Sequence, residues 1–124
     1  MHRSWLMVAA ALGGLGVALG AFGAHGLRGI LPLQRMAIFE TAVRYHLFHA
    51  LALFGVGLAL AVFPGRSRML GWAAGLLAAG VVMFSGSLYV LSVSDLHFLR
   101  WVTPLGGLAW IAGWVVLALS FRGE

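Results

Sequence analysis

Residues 69–94 read MLGWAAGLLAAGVVMFSGSLYVLSVS, a stretch without one formal charge. A helix crossing a hydrocarbon core of about 30 Å needs roughly 20 predominantly apolar residues, and this run exceeds that. Three further charge-free runs, Trp5 to Leu27, Tyr45 to Phe63 and Trp101 to Phe121, accompany it, separated by short connections that carry arginine. Backbone N–H and C=O groups find no water in such a core, so apolar runs cross it as helices, which pair those groups internally. The expected fold is all-α: an integral membrane four-helix bundle with short loops, one transmembrane domain over 1–124 with spans near 5–27, 37–63, 69–93 and 102–121.

Composition narrows the function classes. The chain is 62% hydrophobic and 9% charged, far from the soluble average of about a quarter charged residues. It has no cysteine, which excludes disulfides, thiolate chemistry and cysteine-ligated metals. All eight basic residues are arginine and the formal charge is +5. No basic cluster exceeds two neighbouring arginines, so nucleic acid is not an expected partner, whereas arginines at helix ends suit phosphate headgroups of the lipid bilayer. The opening Met1-His2-Arg3-Ser4 imitates a secretory leader. Its apolar run of about twenty residues is longer than the usual 7–15 of a leader, which favours an uncleaved first span.

Punctuation supports four helices. Ser4 is an N-cap candidate, the glycine-flanked Gly23-Ala24-His25-Gly26 is a stop, and Pro64-Gly65 ends the second helix. That helix, starting near Leu33 to Met36, would measure about 42 Å or more, longer than the core is thick. Pro104 falls in the first turn of the fourth, where proline is tolerated. An even number of spans puts both termini on one side with Arg3, Arg66, Arg68 and Arg122, facing Arg28, Arg35 and Arg100 on the other, with Arg44 in neither group. The imbalance leans towards cytoplasmic termini.

Small residues recur at helical spacing: Ala9, Gly13, Gly16, Gly20 and Gly23 in helix 1, Gly71, Gly75 and Ala79 in helix 3, and Gly106, Ala109 and Gly113 in helix 4. Lipid gives helices no hydrophobic reward for pairing, so close van der Waals approach along such stripes holds them together, within or between protomers.

Running the spans alternately up and down gathers the polar residues in one leaflet. His25 ends helix 1; Glu40, Thr41, Arg44, Tyr45, His46 and His49 lie in the first half of helix 2; Ser85, Ser87 and Tyr89 in the last part of helix 3; and Thr103 opens helix 4. Intramembrane ionisable groups are costly and find partners. Glu40 and Arg44 have the i, i+4 order that favours a helical ion pair. Thr41, Tyr45 and His49 fall four apart, so one face of helix 2 can line a polar groove. The bland alternative is that these groups only satisfy one another and pin the packing.

His46 and His49 lie i, i+3, with His25 at similar depth on helix 1. Three imidazoles can hold a metal and two can hold a haem iron, yet no ligand signature accompanies them. No metal and no cofactor is expected. Nor is there a nucleophile motif, a phosphate loop or a dinucleotide fingerprint after a strand, and the two carboxylates away from the C-terminus, Glu40 and Asp95, form no catalytic pair. No catalytic residue is expected.

Four ordered segments are recognisable: Gly20-Ala21-Phe22-Gly23-Ala24-His25-Gly26-Leu27; Phe39-Glu40-Thr41-Ala42-Val43-Arg44-Tyr45 with His49-Ala50-Leu51-Ala52-Leu53; Phe84-Ser85-Gly86-Ser87-Leu88-Tyr89; and Thr103-Pro104-Leu105-Gly106-Gly107 with Gly113-Trp114. Together they resemble the four-helix family of bacterial inner-membrane proteins called domain of unknown function 423, whose animal members are called transmembrane protein 256. The resemblance implies a small integral membrane protein of the bacterial inner membrane and brings no activity with it. It carries over His25, Glu40, Tyr45, His49, Ser85 and Thr103 as motif positions, and sets His46 aside.

Three functions compete. The first is a non-enzymatic module that packs with itself or with a larger membrane complex and offers its polar end to a lipid headgroup or partner. The second is a proton-coupled carrier or channel in which Glu40 and the histidines titrate. The third is a quinone-, haem- or lipid-binding protein. The first is the expectation, with His25, Glu40, Thr41, Arg44, Tyr45, His49, Ser85, Ser87 and Thr103 as ligand or partner candidates.

Overall fold

Prolines make two of the three breaks that cut the apolar chain into rods. In the computed structural model, which describes residues 2–123, four helices are long and apolar enough to cross a membrane: α1 (His2–Leu27), α2 (Leu33–Val62), α3 (Pro64–Val93) and α4 (His97–Leu119). Pro32 precedes α2, and its carbonyl accepts the first helical bond from the Met36 N–H at 2.9 Å. Phe63, at φ −120°, breaks α2 from α3, which opens with the 3₁₀ turn Pro64–Arg66 because Pro64 has no N–H to continue the ladder. The α1–α2 connection turns at Gly29, whose φ of +86° suits only glycine without strain. Another 3₁₀ turn, His97–Trp101, feeds the α-helical part of α4.

The helices form an opened-out row. α1 lies on α2, α2 on α3 and α3 on α4, and among the described residues no substantial backbone contact joins α1 to α4. The larger core is built by Leu53, Val56 and Leu60 of α2 with Leu70, Ala74, Leu77 and Val81 of α3, closed by Ala9 and Trp110. A smaller cluster of Leu27, Met36 and Phe39 fills the end near the α1–α2 loop.

The glycine stripes divide into two kinds. A Cβ at Gly16 would lie 2.6 Å from the Leu47 side chain, one at Gly20 3.2 Å from Val43 and one at Gly23 2.6 Å from the Phe39 ring, so these three let α1 sink onto α2. Gly106 sits against the backbone of Met83 and Phe84, and Gly113 against Leu77, which seats α4 on α3. Gly80, outside the expected packing set, receives the Trp110 indole. Gly13 and Gly75 are different: a Cβ at either meets nothing within 4 Å. Gly71 and Gly75 line an open face beside Trp72. Among the described residues, then, no neighbouring helix of the protomer meets Gly13 or Gly75.

Two π turns interrupt the rods, Gly23–Leu27 in α1 and Val81–Ser85 in α3. In the second, the Gly86 N–H donates to the Val81 carbonyl five residues back. Such a turn inserts an extra residue and rotates everything beyond it by about 100° relative to a plain α-helix. At the opposite end of the molecule, Arg66 donates from Nη1 to the Ser120 carbonyl at 2.6 Å, tying the start of α3 to the end of α4.

Candidate functional site

The polar residues build a column that starts at the α1–α2 and α3–α4 loops and ends near mid-membrane. At its outer end Arg28 pairs with Glu40 at 3.4 Å, and Arg35 pairs with Asp95 across the gap between α2 and the α3–α4 loop. Beneath them Ser87 and Thr103 share a hydroxyl–hydroxyl bond that joins α3 to α4. Ser87 Oγ also lies 2.9 Å from the Phe84 carbonyl and Thr103 Oγ1 3.3 Å from the Leu99 carbonyl, so one hydroxyl of the pair donates to its carbonyl and the other donates across to its partner. Ser85, turned towards α2 at the end of the π turn, donates to the Ala42 carbonyl at 2.8 Å and is fully buried. Thr41 donates at 2.9 Å to the Ala37 carbonyl of its own helix.

Two imidazoles close the column. His46 Nε2 lies 2.7 Å from the Leu12 carbonyl of α1 and Nδ1 lies 2.8 Å from the Tyr89 hydroxyl of α3. A carbonyl only accepts, so the neutral ring carries its proton on Nε2 and accepts from Tyr89 on Nδ1. One ring thereby bridges three helices. Gly16 makes that reach possible, since a Cβ there would come within 3.2 Å of the His46 ring.

His49 donates from Nδ1 to the Tyr45 carbonyl at 2.8 Å and accepts the Trp114 indole N–H on Nε2 at 3.2 Å. Its ring stacks on Trp110 with centroids 3.8 Å apart and planes 6° from parallel. Trp110 in turn donates to the Leu77 carbonyl at 3.0 Å. Tyr45, Phe84, Trp110 and Trp114 surround a recess of about 380 Å³ that opens outward, towards lipid. Among the described residues no buried side-chain nitrogen or oxygen lacks a partner.

On the outer side of the α1–α2 seam lie two further recesses. One, of about 170 Å³, has Gly20, Phe39, Glu40 and Arg44 in its walls. The other, of about 410 Å³, is bounded by Ala10, Gly13, Val17, Leu47, Leu51 and Phe54.

Several expectations are corrected. Glu40 takes Arg28 and not Arg44, because the turn after α1 brings Arg28 back over the first turns of α2, while Arg44 lies one turn deeper and exposed. His25 is exposed on the π turn of α1 and does not converge with His46 and His49. No cluster of three or more His, Asp or Glu residues suited to a metal occurs among the described residues. Thr41, Tyr45 and His49 do share a face, but its lining is aromatic: His49 is stacked inward and Tyr45 is 40% exposed.

Sequence reasoning missed the residue with the most bridging contacts. The sequence reading sets His46 aside and leaves Tyr89, Trp110 and Trp114 outside the candidates. Matching spacings carried the signal: Tyr45 and His49 on α2, and Trp110 and Trp114 on α4, are both i, i+4 pairs, the pattern of two aromatic ridges that meet.

The family model described as "Protein of unknown function (DUF423)" matches residues 19–107, from the last turns of α1 into the first turns of α4. The chain is 44% identical over 108 residues to the UPF0382 membrane protein YwdK of Bacillus subtilis, covering 86% of this chain and 85% of that protein. It is 43% identical over 118 residues to the UPF0382 inner membrane protein YgdD of Escherichia coli, covering 95% and 88%, and 45% identical over 107 residues to the UPF0382 membrane protein SH2409 of Staphylococcus haemolyticus, covering 86% and 84%. No solved structure matches the chain. Four apolar crossings and these relatives together make this a small multi-pass protein of the inner membrane that belongs to the DUF423 (UPF0382) family.

Proposed function

We propose that the chain is a non-enzymatic membrane module that works by binding lipid or a membrane partner along its outer surface. One observation carries this reading: the polar groups of the core are consumed by one another, and polar side chains without a protein partner lie outside. His46 and His49 both donate to backbone carbonyls and use their second nitrogen on Tyr89 and Trp114. Arg44 and the Tyr45 hydroxyl have no partner among the described residues and face outward. An inward network so fully paired suits a rigid scaffold.

Proton-coupled transport draws less support, because the His46 N–H leads into the Leu12 carbonyl of a neighbouring helix and Glu40 stands apart from both imidazoles, paired with Arg28. Native mass spectrometry of the protein extracted in mild detergent tests the proposal. Bound lipid or a defined oligomer is expected; a bare monomer would overturn it, as would solute flux in proteoliposomes that disappears in Glu40→Gln.

A further inference from the structure

The two recesses on the α1–α2 seam are one feature. On α1, Ala10, Gly13, Val17, Gly20 and Ala24 follow one another by three, four, three and four positions. On α2, Phe54, Leu51, Leu47, Arg44 and Glu40 do the same in reverse. Each series is one face of a helix, so the recesses lie end to end on the same side of the seam. From Ala9 to Ala24 the groove runs about 22 Å, longer than the roughly 15 Å of one leaflet's hydrocarbon. Its deep part is walled by exposed Val17 and Leu51 and floored by Gly13, where nothing among the described residues fills the space. Its mouth alone carries charge, Arg44 and Glu40.

Arg44 is placed where a cation is expensive. Counted from Leu33 it stands about 16 Å along a helix of about 45 Å, hence about 9 Å inside the hydrocarbon boundary if α2 is centred. Its side chain is long enough to rise towards the headgroup level, where a phosphate diester is the natural counter-charge for a guanidinium. Glu40 lies one turn nearer the surface, and its pairing with Arg28 occupies only Oε2. The mouth thus offers one cation to a phosphate and one carboxylate above it.

We infer that this seam holds one glycerophospholipid with an amine headgroup, phosphate on Arg44, ammonium beside Glu40, and one acyl chain laid along Gly20, Gly13 and Ala10. The inference rests on the binding-module reading above and narrows it to a ligand class and a place. With Arg28 on Oε2, Glu40 still has Oε1 free among the described residues for an ammonium, and that free carboxylate oxygen beside Arg44 is what favours an amine headgroup over an anionic lipid without one.

The test is native mass spectrometry of the full chain in detergent supplemented with equal amounts of palmitoyl-oleoyl phosphatidylethanolamine and phosphatidylglycerol. The wild type should carry mainly a single phosphatidylethanolamine. Arg44→Gln should lower its apparent affinity about tenfold, which corresponds to about 1.4 kcal/mol. Gly13→Phe should remove the adduct by filling the groove, and Glu40→Gln should shift preference towards phosphatidylglycerol. Gly75→Phe, on the open face of α3, should change nothing. Among the described residues Arg44 has no partner and Gly13 no close neighbour, so both substitutions leave the fold intact, which circular dichroism checks. Equal adducts in wild type, Arg44→Gln and Gly13→Phe, or a wild type that prefers phosphatidylglycerol, would overturn the inference. A wild type that is oligomeric but lipid-free would sink it and leave the module reading standing; a bare monomer would end both.

Discussion

The α3–α4 seam and the α1–α2 seam use the same residue to opposite ends. Along α3–α4 every glycine at the contact is occupied: Gly80 by Trp110, Gly106 by the Phe84 backbone, Gly113 by Leu77. Along α1–α2, Gly16, Gly20 and Gly23 are occupied, while Gly13, on the same helix, opens onto the outer groove. A glycine stripe therefore measures how closely a surface can be approached, and the identity of what approaches depends on which side of the helix each glycine faces.

The sharpest way to break this contrast is at Gly106. Gly106→Leu drives a side chain into the backbone of α3, and we expect a loss of about 3 kcal/mol or more, or failure to fold; denaturant titration in detergent, followed by circular dichroism, reads it. Wild-type stability in that variant would mean that the α3–α4 approach is not as close as described. Next in size is the three-helix bridge. His46→Phe keeps a ring but strands the Tyr89 hydroxyl, with an expected cost of about 2 kcal/mol in the same titration. A variant as stable as wild type would show that the bridge contributes nothing. At the open positions the sign reverses: Gly13→Ala and Gly75→Ala are each expected to stabilise by about 0.5–1 kcal/mol, because alanine is the better helix former and meets no neighbour. Destabilisation there would reveal a covering surface within the protomer. Smallest of all, Arg28→Ala breaks an exposed ion pair, and its midpoint should move by less than about 0.5 kcal/mol.

Much of the fold was legible because bilayer crossing imposes a length and a polarity that few sequences mimic. The charge-free run 69–94 and the prolines at 32 and 64 mark helices before any packing is considered. The site was legible only by leaflet. Counting positions places Glu40, Ser87 and Thr103 at one end, but a helical wheel built on 3.6 residues per turn passes straight through Val81–Ser85, where the backbone changes pitch. Sequence spacing also proposes Arg44 for Glu40 and cannot weigh it against Arg28, whose approach depends on how Gly29 turns the chain. His46 illustrates the same gap from the other direction. Its role comes from Leu12 and Tyr89, far away in sequence, and from a missing side chain at Gly16.

The wider pitch at Val81–Ser85 sets the phase of everything after it in α3. Removing one residue there, Val82 for instance, would return the rod to a uniform winding and swing Tyr89 roughly a quarter-turn around the axis. The phenol would then miss the imidazole it now serves, although every residue around both would be unchanged. In this rod, a single-residue deletion is a rotation, and the position most tolerant of substitution by size can be the least tolerant of loss.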